Sequence, residues 1–475
     1  MDTRTITIEP VTRIEGHARI TIDLDEAGEV TQTFLHVDEF RGLEKFSEKR
    51  PYFEMPQITQ RICGICPVSH HLAAAKACDA ILGVEPPRPA HLLRELMHMA
   101  QFVQSHGMHF FYLAGPDLLF GFDADPAVRN VFGIIEARPD LARKAIGLRR
   151  FGQQIIECLG GKRVHPNLAV PGGVNTALRR EDLARIGAEL EGQLAVAEEA
   201  LAILDGWLKE NRKVTAEFAS FPSNYLALVD SRGQLQLYDG SLRLTDHGGK
   251  SLKSFGAEDY LDHIAEHVEP WSFLKFPYYR PLEWPEGSYR VGPLARMNVA
   301  ASIGTPGAQA EFEKFKQRAD SRPAEGSLLY HHARLIELLY ALERIGALLA
   351  DPDILSTDIR RYREVPRNRR GVGVVEAPRG TLIHDYHIDK NGLLERVNLI
   401  VATGHNNWAM NRAVESVAKA CVHGRKVTEG DLNRVEAAVR CYDPCFSCST
   451  HAIGKMPLVV ELKNPDGTSI GCFRR

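Results

Sequence analysis

Apolar and polar positions alternate at the start of the chain and recur at helical spacing through most of the rest. Thr5-Ile6-Thr7-Ile8 and Ala18-Arg19-Ile20-Thr21-Ile22-Asp23-Leu24 have period two. Asp25-Glu26-Ala27-Gly28 supplies a turn and Val30 to Val37 a returning strand, so residues 4–40 predict a β-meander. Val68 to Leu82 reads as a helix ended by Gly83 and Pro86-Pro87. Pro89 opens a second, longer helix. On it Leu92, Leu93, Leu96, Met99, Phe102, Val103, His106 and Phe110 form one stripe. Residues 139–160, 181–213 and 327–350 continue the helical pattern. Leu235, Leu237, Leu242 and Leu244 flank Asp239-Gly240, which predicts a hairpin there. Glu376 to His384 leads through the Asp389-Lys390-Asn391-Gly392 turn to a strand at Val397 to Val401, with helices at 408–422 and 428–441.

The expected fold is therefore mainly α with minor β (α+β): a large multi-helix core, an N-terminal β-meander and small inserted hairpins. No internal repeat, low-complexity tract or linker divides residues 1–475, which read as one unit.

Composition narrows the function classes. Hydrophobic residues make up 44% of the 475, enough for a large core, and the formal charge of −3 favours neither nucleic acid nor an anionic membrane. No apolar run approaches the roughly 20 residues of a membrane span, and the N-terminus carries no apolar signal core. Nine cysteines, five of them scattered (Cys78, Cys158, Cys421, Cys441, Cys472), fit a reduced cytoplasmic protein better than a disulfide framework. The basic run Arg360, Arg361, Arg363, Arg367, Arg369 and Arg370 reads as solvated or internally paired, with docking to an acidic face as the alternative. Aromatic residues crowd 271–289, as buried loop packing or a partner interface.

The other four cysteines stand in two Cys-x-x-Cys pairs near opposite ends: Cys63 and Cys66, then Cys445 and Cys448. Four thiolates suit a thiophilic metal, and a Cys₄ zinc site is the plain structural reading. Structural zinc ligands usually lie close together in sequence, whereas these join the two ends of a large chain, which points equally to an active centre. His106 and His109 read as core histidines, and Glu15 as a solvated loop carboxylate. The glycines at 172–173 and 371–373 lack both the Walker pattern and the Rossmann spacing, so no dinucleotide site is expected in this chain.

The flanking residues go further. Arg61-Ile62-Cys63-Gly64-Ile65-Cys66-Pro67-Val68-Ser69-His70 and Asp443-Pro444-Cys445-Phe446-Ser447-Cys448-Ser449-Thr450-His451 resemble the two metal-binding motifs of nickel-iron hydrogenase large subunits. Val11-Thr12-Arg13-Ile14-Glu15-Gly16-His17, Arg41-Gly42-Leu43-Glu44 and Glu376-Ala377-Pro378-Arg379-Gly380 resemble further motifs, in the family's order. Residues 40–46 and the C-terminal stretch are most similar to the soluble, bidirectional, NAD-linked type.

The resemblance implies that Cys63 and Cys445 are terminal nickel ligands. Cys66 and Cys448 would bridge nickel to an iron carrying CO and CN. Glu15 would be the first proton relay from Cys445, reversing its solvated reading. Arg379 would lie over the open metal position with Pro378 holding it, and Asp443 would fix Arg379 or a nearby water. His70 would hydrogen-bond a bridging cysteine or neighbouring backbone. Glu44 and His451, with a main-chain oxygen near Leu399, would bind magnesium. Membrane-associated relatives commonly have Asp where this chain has Ser105, so that carboxylate's role does not carry over.

The same resemblance implies partners. This chain lacks the further cysteine clusters that would hold iron–sulfur centres, so an iron–sulfur small subunit is expected, with flavin/NAD-binding diaphorase subunits that hold FMN and NAD(H). A maturation protease would cut after His451 and release residues 452–475. The expected activity is that of a hydrogen:NAD+ oxidoreductase. The alternatives are a hydrogenase using NADP or ferredoxin, or a non-catalytic component of an electron-transfer complex; relatives of the last kind lack the four cysteines.

Overall fold

The computed structural model describes residues 4–39, 42–320, 322–363, 365–424 and 426–450, and the backbone of two C-terminal strands, 459–463 and 469–474. The N-terminal meander forms as the alternation predicts. Strands β1 (Arg4–Ile8), β2 (Arg19–Leu24) and β3 (Val30–His36) pair antiparallel in sequence order, with Ile6 opposite Ile22 and Ile8 opposite Ile20. Ile20, Ile22 and Leu24 are fully buried on one face, as a half-buried strand requires.

Helices form most of the remainder. Helix α1 (Pro67–Leu82) starts on Pro67, whose missing N–H costs nothing at a first turn, and ends on Gly83 in the left-handed region at φ 63°. Helix α2 (Arg88–Met108) carries the predicted apolar stripe into the core. There it packs on α3 (Pro139–Gly160) and on α5 (Leu329–Leu349), while α4 (Arg180–Glu210) lies along α5. His106 and His109 are buried core groups with one ring nitrogen each partnered: His106 Nε2 meets Glu337 Oε2 at 2.9 Å, and His109 Nε2 meets the Arg440 carbonyl at 2.8 Å, while both Nδ1 atoms are buried without a partner among the described residues. The mainly helical fold with an N-terminal meander and small sheets is thus present.

A second sheet shapes the site. Strands β4 (Arg370–Ala377), β5 (Gly380–Ile388) and β6 (Leu394–Ile400) form an antiparallel meander whose face carries α1. The glycines of Gly371-Val372-Gly373 are explained by this contact. A Cβ on Gly373 would stand 2.0 Å from the Ala73 carbonyl, and one on Gly371 2.1 Å from that of Ala77. They admit a helix rather than a phosphate. After β6 come α6 (Asn407–Cys421), which packs on β3, and α7 (Glu429–Cys441), opened by a Thr428–Asp431 capping box.

One predicted turn is misplaced. Leu235 and Leu237 are not strand partners of Leu242 and Leu244. Residues Ser241–Thr245 instead pair with Asn224–Val229 and with Ser251–Phe255, and the tight turn falls at Asp246–Gly249. Asp239-Gly240 matches the hairpin composition, but the buried strand Asn224–Val229 wins the pairing, because its own apolar residues need cover. The aromatics of 271–289 are largely internal: Trp284 stacks on His267 and meets Phe276 and Trp408. In the basic run, Arg361 pairs with Asp358 and Arg370 with Asp385.

Candidate metal centre

The two Cys-x-x-Cys pairs meet in the core. Cys63 follows a short turn, Gln60–Ile62, and Cys66 caps α1. Cys445 follows α7 through Asp443 (φ 52°) and Pro444, and Cys448 lies in the one-turn helix Phe446–Ser449. Proline cannot continue a helix, and the left-handed Asp443 turns the chain inward. The Cys445 N–H donates to Thr403 Oγ1 at 2.9 Å, which anchors the loop. Sγ–Sγ distances are 3.2 Å for Cys63–Cys445, 3.3 Å for Cys66–Cys448 and 2.8 Å for Cys445–Cys448; all four sulfurs lie within 4.8 Å of one another. None is more than 4% exposed.

Four thiols so close and so dry cannot all ionise unaided. Hydrogen bonds from Cys445, Cys448 and Cys66 hold Cys63 well below the usual thiol range. Burial pushes Cys445 and Cys448 well up. A soft cation bound by all four sulfurs would remove this conflict, so the donor set fits a nickel-type centre. The groups around it fit as well. Arg379 Nε donates to the Asp443 carbonyl at 2.5 Å and Nη2 to Asp443 Oδ1 at 3.0 Å. Burial alone would lower the Arg379 pKa; Asp443 and the sulfurs of Cys445, Cys66 and Cys63 outweigh it and keep the guanidinium charged. Burial pushes the Asp443 carboxyl up against the pull of Arg379 and Arg334. Arg379 Nη1 and Asp443 Oδ2 are buried with no protein partner among the described residues, as expected of polar atoms that face a further ligand.

Glu15 comes to the centre through its backbone. It bridges to Cys445 in parallel, its carbonyl accepts from Phe446 N at 3.1 Å, and its Oε2 accepts from Ser447 N at 3.2 Å. Its side chain is half-buried rather than buried. His70 Nδ1 lies 3.1 Å from His384 Nε2, and His384 Nδ1 lies 2.6 Å from the Tyr386 hydroxyl. Pro378 and Arg379 form the two-residue turn between Ala377 and Gly380 that joins β4 to β5. Glu44 Oε1 accepts from Leu399 N at 2.7 Å, and burial raises its pKa despite Lys275. Glu44 thus stands beside Leu399, which it meets through the main-chain N–H. His451 lies outside the described residues. Ser105 Oγ is buried without a partner among the described residues.

Sequence reasoning missed Arg296, Glu337 and Thr403, which lie far from the motifs in sequence and carry no periodic signal. Glu376 stood inside a motif without a role.

The comparisons with known proteins agree with this geometry. Residues 41–126 and 229–451 match the family model described as nickel-dependent hydrogenase, and residues 5–40 match a model described as HoxL-like. The chain belongs to the nickel-dependent hydrogenase family and is a catalytic large subunit of the nickel-iron type. It is 44% identical to the NAD-reducing hydrogenase HoxS subunit beta of Cupriavidus necator, over 98% of this chain and 99% of that one. It is equally 44% identical to an F420-non-reducing (vhu) hydrogenase chain of Methanocaldococcus jannaschii, over 87% of this chain and 98% of that one. A solved NAD+-reducing NiFe-hydrogenase in the H2-reduced state superposes with a TM-score of 0.92 at 46% identity, covering 94% of this chain and 99% of that one. A large subunit of this kind implies a small-subunit partner. No helix among the described residues is long and apolar enough to cross a membrane.

Proposed function

We propose that this chain activates dihydrogen in a cytoplasmic, bidirectional hydrogenase that exchanges electrons with NAD+/NADH through partner subunits. The observation that carries the reading is the buried four-sulfur cluster with the Arg379–Asp443 pair beside it. Cys63, Cys66, Cys445 and Cys448 would together hold the nickel-iron centre. That centre, when bound, would supply the electrophile that polarises dihydrogen.

The chain's own residues then handle the proton and the field. A terminal thiolate is basic, so Cys445 takes the proton. Glu15, held alongside by its backbone pairing, receives it and passes it outward from a half-exposed position. Arg379 cannot lose its proton, and Asp443 fixes its fork, so it presents a constant positive field without reorganising during turnover. Glu44 and His451 would hold magnesium near Leu399. The small subunit's iron–sulfur clusters and the FMN of diaphorase subunits would carry the electrons to and from the acceptor.

The relative from Cupriavidus necator, which aligns over 98% of this chain, favours NAD as acceptor. The equal identity to an F420-non-reducing enzyme supports a second reading, a hydrogenase with another acceptor such as NADP or ferredoxin. Purified complex under H2 decides between them. NADH formation with about one nickel per large subunit is expected. Reduction of ferredoxin or NADP+ without NAD+ would select the second reading, and stoichiometric zinc without nickel in matured protein would overturn both.

A further inference from the structure

We infer that Arg296 is a positioning residue that sets the place of Arg379, acting with Glu337 and Glu376. This rests on Arg379 serving the reaction as proposed above. Arg296 lies in the short helix Pro293–Val299 and is fully buried, as are both carboxylates. Guanidinium has five N–H donors, and all five are used. Nε donates to Glu337 Oε1 at 2.5 Å and Nη2 to Glu337 Oε2 at 2.6 Å. Nη1 donates to Glu376 Oε2 at 2.7 Å. The remaining two go to main-chain carbonyls, Nη1 to Ala377 at 3.0 Å and Nη2 to Pro378 at 3.1 Å.

Those two carbonyls belong to the two residues just before Arg379: Ala377 ends β4, and Pro378 opens the two-residue turn from which Arg379 projects. A turn this short is normally fixed by the strands on either side. Here it is also gripped from behind by a charged fork, while Asp443 grips the guanidinium from the front. Glu376 is itself held: its Oε1 accepts from Leu228 N at 3.0 Å and Thr381 Oγ1 at 2.9 Å, and its carbonyl meets His98 Nε2 at 2.8 Å. Glu337 is held by His106. Burying a cation with two carboxylates is a poor way to gain stability, since apolar packing often does as well. Such a cluster is better suited to fixing geometry, and the geometry it fixes is the Pro378–Arg379 turn.

The test is a double-mutant cycle in the intact complex. Arg379→Lys alone is expected to lower kcat about 10²-fold with nickel content kept. Arg296→Lys keeps the charge but has too few donors, and in the wild-type background it is expected to lower kcat about 10- to 100-fold, as a misplaced group would. In the Arg379→Lys background the same change should lower kcat by less than about threefold, because the group it positions is already gone. Equal losses in both backgrounds would overturn the inference and leave the role of Arg379 standing. No effect of Arg379→Lys would instead defeat the functional reading beneath it. Should Arg296→Lys fail to fold, Thr381→Val removes a single donor to Glu376, and its kcat effect must likewise vanish with Arg379→Lys.

Discussion

Gly16 and Phe446 approach so closely that no side chain fits between them. A Cβ on Gly16 would stand 2.9 Å from Phe446 Cβ and 3.0 Å from Ser447 N, and Gly16 sits at φ 83°. This contact joins the N-terminal segment that carries Glu15 to the C-terminal pair that carries Cys445 and Cys448. Gly16→Ala would be strained by conformation and by contact, costing well over about 1 kcal/mol. Expected outcomes are a lower thermal midpoint and less nickel per chain, read by calorimetry and elemental analysis. An unchanged midpoint and full nickel loading would show that the contact yields freely.

How far that join was legible in the sequence varies with the kind of residue. The meander, helices α1 to α7 and the strand ending at Ile400 follow from periodicity and from Gly and Pro punctuation. The four sulfurs were legible because thiol chemistry and flanking residues are local signals. The hairpin at Asp239-Gly240 failed because turn composition says nothing about which strand needs covering. Arg296 and Glu337 were invisible for a related reason: an arginine and a glutamate in apolar helices read as surface residues until the fold shows them buried against each other. Thr403, which anchors Cys445, carries no signal before the fold places it.

Asp117 is expected to lock the same region. It pairs with Arg13 at 2.6 Å and Arg440 at 2.6 Å, and Arg440 also holds the Thr12 carbonyl at 3.1 Å. Burial alone would raise the Asp117 pKa, but Arg440 and Arg13 more than reverse it and hold it below the ordinary carboxylate range. A depressed folded pKa gives stability that is present above the unfolded value and lost as pH falls through the folded one. Asp117→Asn leaves buried arginines short of a partner and should cost about 3–5 kcal/mol at neutral pH. Denaturant unfolding across pH should show the gap to wild type closing in acid. A gap independent of pH would mean that the carboxylate charge is not the source.

Glu15→Gln tests the proton path. Glutamine keeps the size and can still accept from Ser447 N, so the backbone join and the four sulfurs should persist. What it loses is the titratable oxygen. H2 oxidation should fall by about 10²-fold or more, the scale of a lost general acid–base group, with nickel content unchanged. A nickel-loaded variant that oxidises H2 at near wild-type rate would remove Glu15 from the route.

The C-terminal tail gives the last expectation. Its backbone forms a hairpin, Val459–Lys463 paired antiparallel with Ser469–Arg474, whereas Cys445, Cys448 and Thr450 are already buried in the core. Ala452 to Arg475 holds no residue that the proposed chemistry uses; Cys472 is a lone thiol in the sequence, outside either Cys-x-x-Cys pair. Metal insertion would be easier with the two Cys-x-x-Cys pairs apart, whereas the proposed chemistry uses them closed and dry. With the tail present the C-terminal pair already sits in the core, so a tail that leaves the pair able to withdraw until nickel arrives, and is then cut after His451 to lock it, would meet both needs. Cutting would let His451 settle beside Glu44 and Leu399 as a magnesium ligand. Intact mass of the active complex is expected to show a large subunit ending at His451. Chains whose cleavage is blocked should be inactive and fail to pair with the small subunit. A fully active large subunit that still ends in Arg475 would refute the scheme, and the hairpin would then be an ordinary part of the fold.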